Sequence, residues 1–176
     1  MHVRIATSRD CDDIREIHLC AFAKDEREIV SKLSINLLFE ETTPPIISLV
    51  AETGGAVVGH VAFSPVVIDN NEDLQGYILA PLGVKPDYQN RGIGSKLVDS
   101  GIQRLLNVGV NILFVYGDPK YYSRFGFSAD TAALYIPPYK LQYSHGWQAI
   151  ILNEYQNIKS PLKIACVASL CHSELW

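Results

Sequence analysis

The most constraining stretch of this 176-residue chain is Tyr88-Gln89-Asn90-Arg91-Gly92-Ile93-Gly94-Ser95-Lys96-Leu97-Val98. Two glycines one residue apart stand behind a glutamine and an arginine. Before them GYILAPLGVKP (76–86) reads as a strand that ends at Pro86, and after them SKLVDSGIQRLL (95–106) reads as a helix. Gly92 and Gly94 therefore fall at a strand-to-helix turn. There the unpaired N–H groups of the first helical turn and the positive end of the helix dipole point outward together. Such a turn is an anion site, and phosphate is its commonest guest. A plain glycine turn ahead of a helix fits the same residues, so the stretch alone leaves both readings open.

Composition narrows the class. A hydrophobic share of 48% with 19% charged residues supplies a full core, and the length suits a single domain spanning 1–176. Net charge is −4 with no basic block, which argues against a nucleic-acid partner and suits a cationic substrate. No apolar run approaches the ~20 residues of a membrane span, so no membrane partner is expected. The start, MHVRIATSRD, lacks the regions of a signal peptide, which points to the cytoplasm. Cys11, Cys20, Cys166 and Cys171 form no CxxC pair; His18/Cys20 and Cys171-His172 lack metal-site spacing, and free thiols with no bound metal are expected.

Along the chain, VRIAT (3–7) is a strand candidate. Ser8 and Asp10 offer capping oxygens to a helix reaching about Ala23, with Ile14, Ile17 and Leu19 as its apolar positions. DEREIVSKLSINLLF (25–39) reads as a second helix. Two strands follow around Gly54-Gly55, an antiparallel hairpin, then the DNNED loop (69–73) and the strand before the glycines. The next helix carries Ile93, Leu97, Gly101 and Leu105 on one face. NILFVYG (111–117) is a buried strand, PKYYSRF a short helix stopped at Gly126, and WQAIIL (147–152) and LKIACVA (162–168) are closing strands. A Rossmann fingerprint fails because its third glycine would fall on Leu97, and RGIGSKL lacks the Walker A pattern.

Gln89-Asn90-Arg91-Gly92-Ile93-Gly94 resembles the Q/R-x-x-G-x-G/A motif of the GNAT superfamily of N-acetyltransferases. Tyr122-Ser123-Arg124-Phe125-Gly126-Phe127 is similar to a second signature, Y-x-x-x-G-F, in the order that family uses. The resemblance covers a core of about 3–130, and the strands of 131–176 are less typical. It implies an α/β (α+β) fold: a mixed, mostly antiparallel central sheet with helices on both faces and a splayed cofactor cleft. It implies acetyl-coenzyme A as cosubstrate without a metal, and a small-molecule or peptide amine as acceptor. The backbone at Leu82, Gly83 and Val84 would meet the acetyl and pantetheine groups. The N–H groups of Gln89, Asn90, Arg91, Gly92, Ile93, Gly94 and Ser95 would hold the pyrophosphate, where a Cβ at 92 or 94 would obstruct the backbone's approach.

Tyr122 matches the family tyrosine that lies near the coenzyme sulfur and acts as general acid; the competing reading is a tyrosine packed beside Phe125 and Phe127. Glu52, His60 and Asp118 are candidates for a base, each with a structural alternative: a solvated hairpin end, a satisfied sheet histidine and a helix N-cap. Asp25, Glu26 and Glu28 could form an acidic rim or simply a solvated helix face. Tyr135, Tyr139, Tyr143 and Trp147 could line a pocket or equally a homodimer contact. A non-catalytic acetyl-coenzyme A sensor, or an acyltransferase with another donor or a hydroxyl acceptor, is the alternative function.

Overall fold

The structure, a computed structural model, describes residues 1–69, 71–156 and 158–176, so part of the expected 69–73 loop lies outside the described residues. The elements are β1 (His2–Ile5), α1 (Cys11–Ala21), α2 (Arg27–Phe39), β2 (Ile47–Thr53), β3 (Ala56–Ile68), β4 (Gly76–Val84), α3 (Ile93–Asn107), β5 (Ile112–Tyr116), α4 (Pro119–Tyr122), α5 (Ala129–Ala132), β6 (Tyr135–Ile136), β7 (Trp147–Ile151) and β8 (Leu162–Cys166). The strands follow the order β1-β2-β3-β4-β5-β7, and β8 joins β3 to β6. β1–β2, β2–β3, β3–β8 and β5–β7 pair antiparallel and β4–β5 and β6–β8 parallel, the mixed, mostly antiparallel sheet of the expected α/β class. By its contacts the chain divides into two compact units, Met1–Phe63 with Ala80–Gly101, and Ser64–Leu79 with Ile102–Trp176.

In the first unit, Gly54 and Gly55 both take positive φ (60° and 83°), the backbone that a two-residue hairpin between β2 and β3 demands. One face of this sheet receives α1, whose Ile14 and Ile17 pack with Val50 and Val57, and Ile35 and Leu38 of α2 close over the cluster. The other face receives α3: a Cβ on Gly59 would meet Leu97 and Ile93 at 3.0 and 3.1 Å. Val57 and Gly59 are two apart in β3, and the register shift at Ala51/Glu52 of β2 is what puts them on opposite faces. Asp10 does not cap α1 as expected. Its carboxylate accepts two hydrogen bonds from the Arg4 guanidinium (2.7 and 2.8 Å) and further ones from the Thr7 N–H and hydroxyl. The Arg4 contact holds the carboxyl down at about 2.

In the second unit, β5 lies between Gly76–Leu79 of β4 and β7. Phe114 stacks on Trp147 with ring centroids 5.1 Å apart, Tyr135 meets Phe114 edge-on, and the Trp147 indole N–H donates to the Tyr135 carbonyl. Tyr135 and Trp147, two of the aromatics considered for a pocket or homodimer contact, are therefore core residues, 4% and 6% exposed. Helix α5 and strand β6 have no counterpart in the sequence reading. They are four and two residues long, too short to show a period.

Gly101 sits in the middle of α3, and a Cβ there would overlap the edge of the Phe63 ring, 2.0 Å from Cζ, and that ring is fully buried. Gly101→Ala gains up to ~1 kcal/mol of helix propensity but must displace that ring, and overpacking costs about 1–3 kcal/mol. The expected outcome is net destabilisation; urea unfolding with a variant midpoint at or above wild type would show that the ring yields freely.

Candidate functional site

The glycine-rich turn and the strand before it lie in the first unit. The Lys85 N–H donates to the Val58 carbonyl at 2.9 Å, so by alternation the peptide groups of Leu82 and Val84 point away from β3. The Gln89 side-chain amide donates to the Val84 carbonyl at 3.0 Å and ties the turn to the strand end. Pro86–Tyr88 makes one 3-10 turn. Asn90 and Gly92 then both take positive φ, 58° and 78°, which turns successive N–H groups toward a common concavity. The Lys96 N–H bonds to the Gly92 carbonyl at 3.0 Å, opening α3. The N–H groups of Ile93, Gly94 and Ser95 consequently have no acceptor within the helix.

Ile93, 3% exposed, anchors the helix start, while Gly92 is exposed. A Cβ on Gly92 would meet no protein atom within 4 Å, so its positive φ, and not crowding by the protein, is what calls for glycine. The exposed Arg91 guanidinium lies 5.5 Å from the centroid of the Tyr88 ring. The turn offers backbone donors at the positive end of a 15-residue helix, an arrangement suited to a phosphorylated ligand.

The same unit disposes of two candidate bases. Glu52 is ion-paired with Arg4 at 2.7 Å. His60 is fully buried, with Nδ1 2.8 Å from His18 Nε2 and Nε2 2.8 Å from Ser48 Oγ, so both ring nitrogens are engaged. Burial pushes the His60 imidazole well below its ordinary value and His18 down to about 3, leaving both neutral at pH 7. Asp25, Glu26 and Glu28 are exposed, a solvated face.

The sequence singles out His18 only beside Cys20, whereas the structure packs it against β4 at Gly83. It lies four residues after Ile14, on the buried face of α1, and that spacing was the available signal. Its imidazole occupies the place where a side chain at 83 would project: a Cβ on Gly83 would come within 2.8 Å of His18 Nδ1 and 2.9 Å of Cε1.

In the second unit, Asp118 accepts from the Lys120 N–H and caps α4, with Pro119 in its first turn, so the third candidate base has a structural task. Tyr122 ends that helix. Its ring packs edge-on to Phe127 (5.7 Å) and to Tyr121 (5.0 Å), and a Cβ on Gly117 would come within 2.5 Å of it. Burial, with Tyr121 adding to it, pushes the Tyr122 phenol up, so it stays protonated at neutral pH. The Tyr121 ring instead lies under the Arg124 guanidinium at 4.6 Å.

The four cysteines are free thiols, and among the described residues no three His, Cys, Asp or Glu side chains gather as a metal set. No helix among those residues is long and apolar enough to cross a membrane.

A family model described as the acetyltransferase (GNAT) family matches residues 11–127. The N-acetyltransferase YjhQ of Escherichia coli (strain K12) is 35% identical over 144 residues, which is 80% of this chain and 77% of that protein. The crystal structure of E. coli YhbS, a GNAT family N-acetyltransferase in complex with CoA, is similar with a TM-score of 0.78 at 28% identity, covering 93% of this chain and 89% of its own. A GNAT family acetyltransferase of Brucella melitensis in complex with acetyl-CoA follows with a TM-score of 0.69, 30% identity and 96% of both chains. The fold and the strand–glycine turn–helix unit are those of acyltransferases that use coenzyme A thioesters. The chain belongs to the GNAT family and is an acyltransferase of the N-acetyltransferase kind.

Gly83→Ala tests the close approach of His18. The added methyl must push back a fully buried imidazole, and a loss of about 1–3 kcal/mol in unfolding free energy is expected. Thermal and urea denaturation would measure it; an unchanged midpoint would mean that the imidazole moves aside without cost.

Proposed function

We propose that the protein transfers the acetyl group of acetyl-coenzyme A to a primary amine by direct attack, with Tyr122 as general acid. The observation that carries the proposal is the backbone at Asn90–Gly92, two left-handed residues delivering unpaired N–H groups to the start of α3. CoA and acetyl-CoA in the two similar crystal structures support the choice of cosubstrate. The Gln89 N–H donates to the Pro86 carbonyl at 3.1 Å, so of the stretch expected to hold the pyrophosphate the N–H groups from Asn90 to Ser95 take that part. The pantetheine and acetyl groups run along the peptide groups of Leu82, Gly83 and Val84.

Three requirements follow from the chemistry. A lysine-like amine with a pKa of about 10.4 is neutral in only about one molecule in 2,500 at pH 7, a deficit of roughly 4.6 kcal/mol that deprotonation must cover. The carbonyl oxygen gains charge as nitrogen attacks, and backbone N–H groups of β4 are the donors for it. The thiolate then leaves with a pKa of about 8.5. A phenol kept protonated by its surroundings always has the proton in hand, although full transfer from a group at 10 or above is uphill by at least roughly 2 kcal/mol. The Tyr122 hydroxyl therefore acts first as a hydrogen-bond donor to the developing sulfur charge and hands over its proton late.

Two outcomes test this. Gly92→Val meets no protein atom but strains the positive φ of the turn and puts a branched side chain beside the pyrophosphate, so CoA affinity should fall at least about tenfold, or 1.4 kcal/mol. Calorimetry on the folded variant decides, and unchanged affinity would remove the pyrophosphate from this turn. Tyr122→Phe keeps the ring and should leave CoA affinity nearly unchanged while lowering the single-turnover rate by 10²- to 10⁴-fold. Tyr121→Phe is the control for register. Full activity in both variants would leave water as the proton source.

A further inference from the structure

Two imidazoles face each other inside the first unit. His18 Nε2, from α1, lies 2.8 Å from His60 Nδ1 of β3, and His60 Nε2 lies 2.8 Å from Ser48 Oγ of β2. Both histidines are 0% exposed. Phe22, at the end of α1, meets the His18 ring at 5.7 Å, and β4 presents Gly83, whose bare Cα admits His18 Nδ1. Ser48, Phe22 and Gly83 carry no group that titrates in the range of histidine. Among the described residues, Asp10 is the one other charged group that acts on the pair. It favours the charged form of His60, but its carboxylate is already paired with Arg4.

A neutral imidazole carries one hydrogen on its two nitrogens, and an imidazolium carries two. The 2.8 Å gap between His18 Nε2 and His60 Nδ1 holds a single hydrogen, so both rings cannot be imidazolium while the contact lasts. That limit is the same whichever way the hydrogens run from Ser48 to His18. The closed pair therefore takes up one proton at most. Burial opposes even that one, and for His60 the neighbouring His18 adds to the opposition. Once α1 lifts off the sheet, both imidazoles meet water and each titrates near its ordinary value of about 6.5. The open form thus holds at least one proton more than the closed form in mild acid. With both closed-state values below the ordinary one, the stabilisation is complete above about pH 6.5 and is lost as pH falls below it.

We propose that the His18–His60 contact is a pH-sensitive latch, which holds α1 on β3 and β4 while both rings are neutral and opens by proton uptake in mild acid. The two rings sit on different elements, so parting them loosens the helix from the sheet. Ile14 and Ile17 leave Val50 and Val57 with it, and Gly83 of β4 loses the imidazole that covers it. Asp10 belongs to a different window. Its carboxyl is held down at about 2, so what it contributes is lost only as pH falls below the ordinary carboxylate value. Between pH 6.5 and 5 the buried imidazoles are the groups whose protonation separates closed from open.

The test is amide hydrogen exchange on the whole protein at pH 6.5 and pH 5, corrected for the pH dependence of the exchange chemistry. The opening constant of α1 should rise at least about tenfold over that interval, and more than about a hundredfold where the closed pair takes no proton. At pH 5, α1 should also open at least about tenfold more often than α3 on the opposite face. Equal opening of the two helices would mean that the unit unfolds as a whole, and the latch would fall. His18→Gln combined with His60→Gln keeps amides in place of both rings and removes both titrations, so the rise should shrink to under about twofold. A rise in that variant as large as in wild type would assign the effect to other groups. The wild type decides by itself where the variant fails to fold. With 15N-labelled histidine, the closed protein at pH 5 should show at most one added hydrogen on His18 and His60 together. Two rings that both titrate near 6.5 in the closed protein, or an α1 opening constant that ignores pH, would each overturn the proposal.

Discussion

The backbone of β4 is the constraint on which the rest depends. Its first part, Gly76–Leu79, is laddered in parallel to Ile112–Val115 of β5. Its second part, through Val84, belongs to the first unit and turns the peptide groups of Leu82 and Val84 away from β3. Pro81, second residue of that part, has no N–H to give to any neighbour. Peptide groups must find partners when covered, so a strand whose ladder stops partway is suited to an extended ligand that carries amides of its own. The turn that follows continues the same principle, since Asn90 and Gly92 present N–H groups in place of a regular ladder.

Three glycines show how closely the first unit is built around that strand. Gly59 admits Leu97 and Ile93 of α3, Gly101 admits the Phe63 ring, and Gly83 admits the His18 imidazole. In each case the missing Cβ is exchanged for a contact made by a larger group, and interiors packed at crystal-like density leave no slack for the methyl. These glycines cost backbone entropy and return precision in where helix and strand lie. Gly92 is of another kind, because it serves a backbone angle and faces no protein atom.

What could be read from the sequence was what is local in the chain. Residues 88–98 announce a strand-to-helix turn because the turn, its glycines and the apolar face of α3 are contiguous, and Ile93, Leu97 and Leu105 are indeed buried. Asp118 and Pro119 announce a helix start for the same reason. The Ser48–His60–His18 row was not legible, since it joins β2, β3 and α1 across 12 and 42 residues of chain, and pairing is decided by register and helix rotation. The partner of Glu52 and Asp10 was not legible either, because nothing local shows that Arg4 lies opposite Val50, which brings its guanidinium to both carboxylates. Trp147 and Tyr135 were ambiguous because an aromatic run reads alike in a core and at an interface.

Burial acts in opposite directions on the imidazoles of the first unit and the phenol of the second, with one chemical consequence. It drives His18 and His60 down and Tyr122 up, so all three are held neutral. Acyl transfer moves negative charge onto the carbonyl oxygen and then onto sulfur, so the proposed reaction asks for donors at both stages and for no permanent cation beside an amine that must shed its own proton. A cation would stabilise the oxyanion more strongly in isolation. It would also raise the cost of bringing an ammonium substrate alongside, by like-charge repulsion that a buried setting screens poorly. Neutral donors give up part of the first effect and avoid the second. For an amine acceptor the second matters more, because the roughly 4.6 kcal/mol needed to reach the free base is already the larger entry against the reaction.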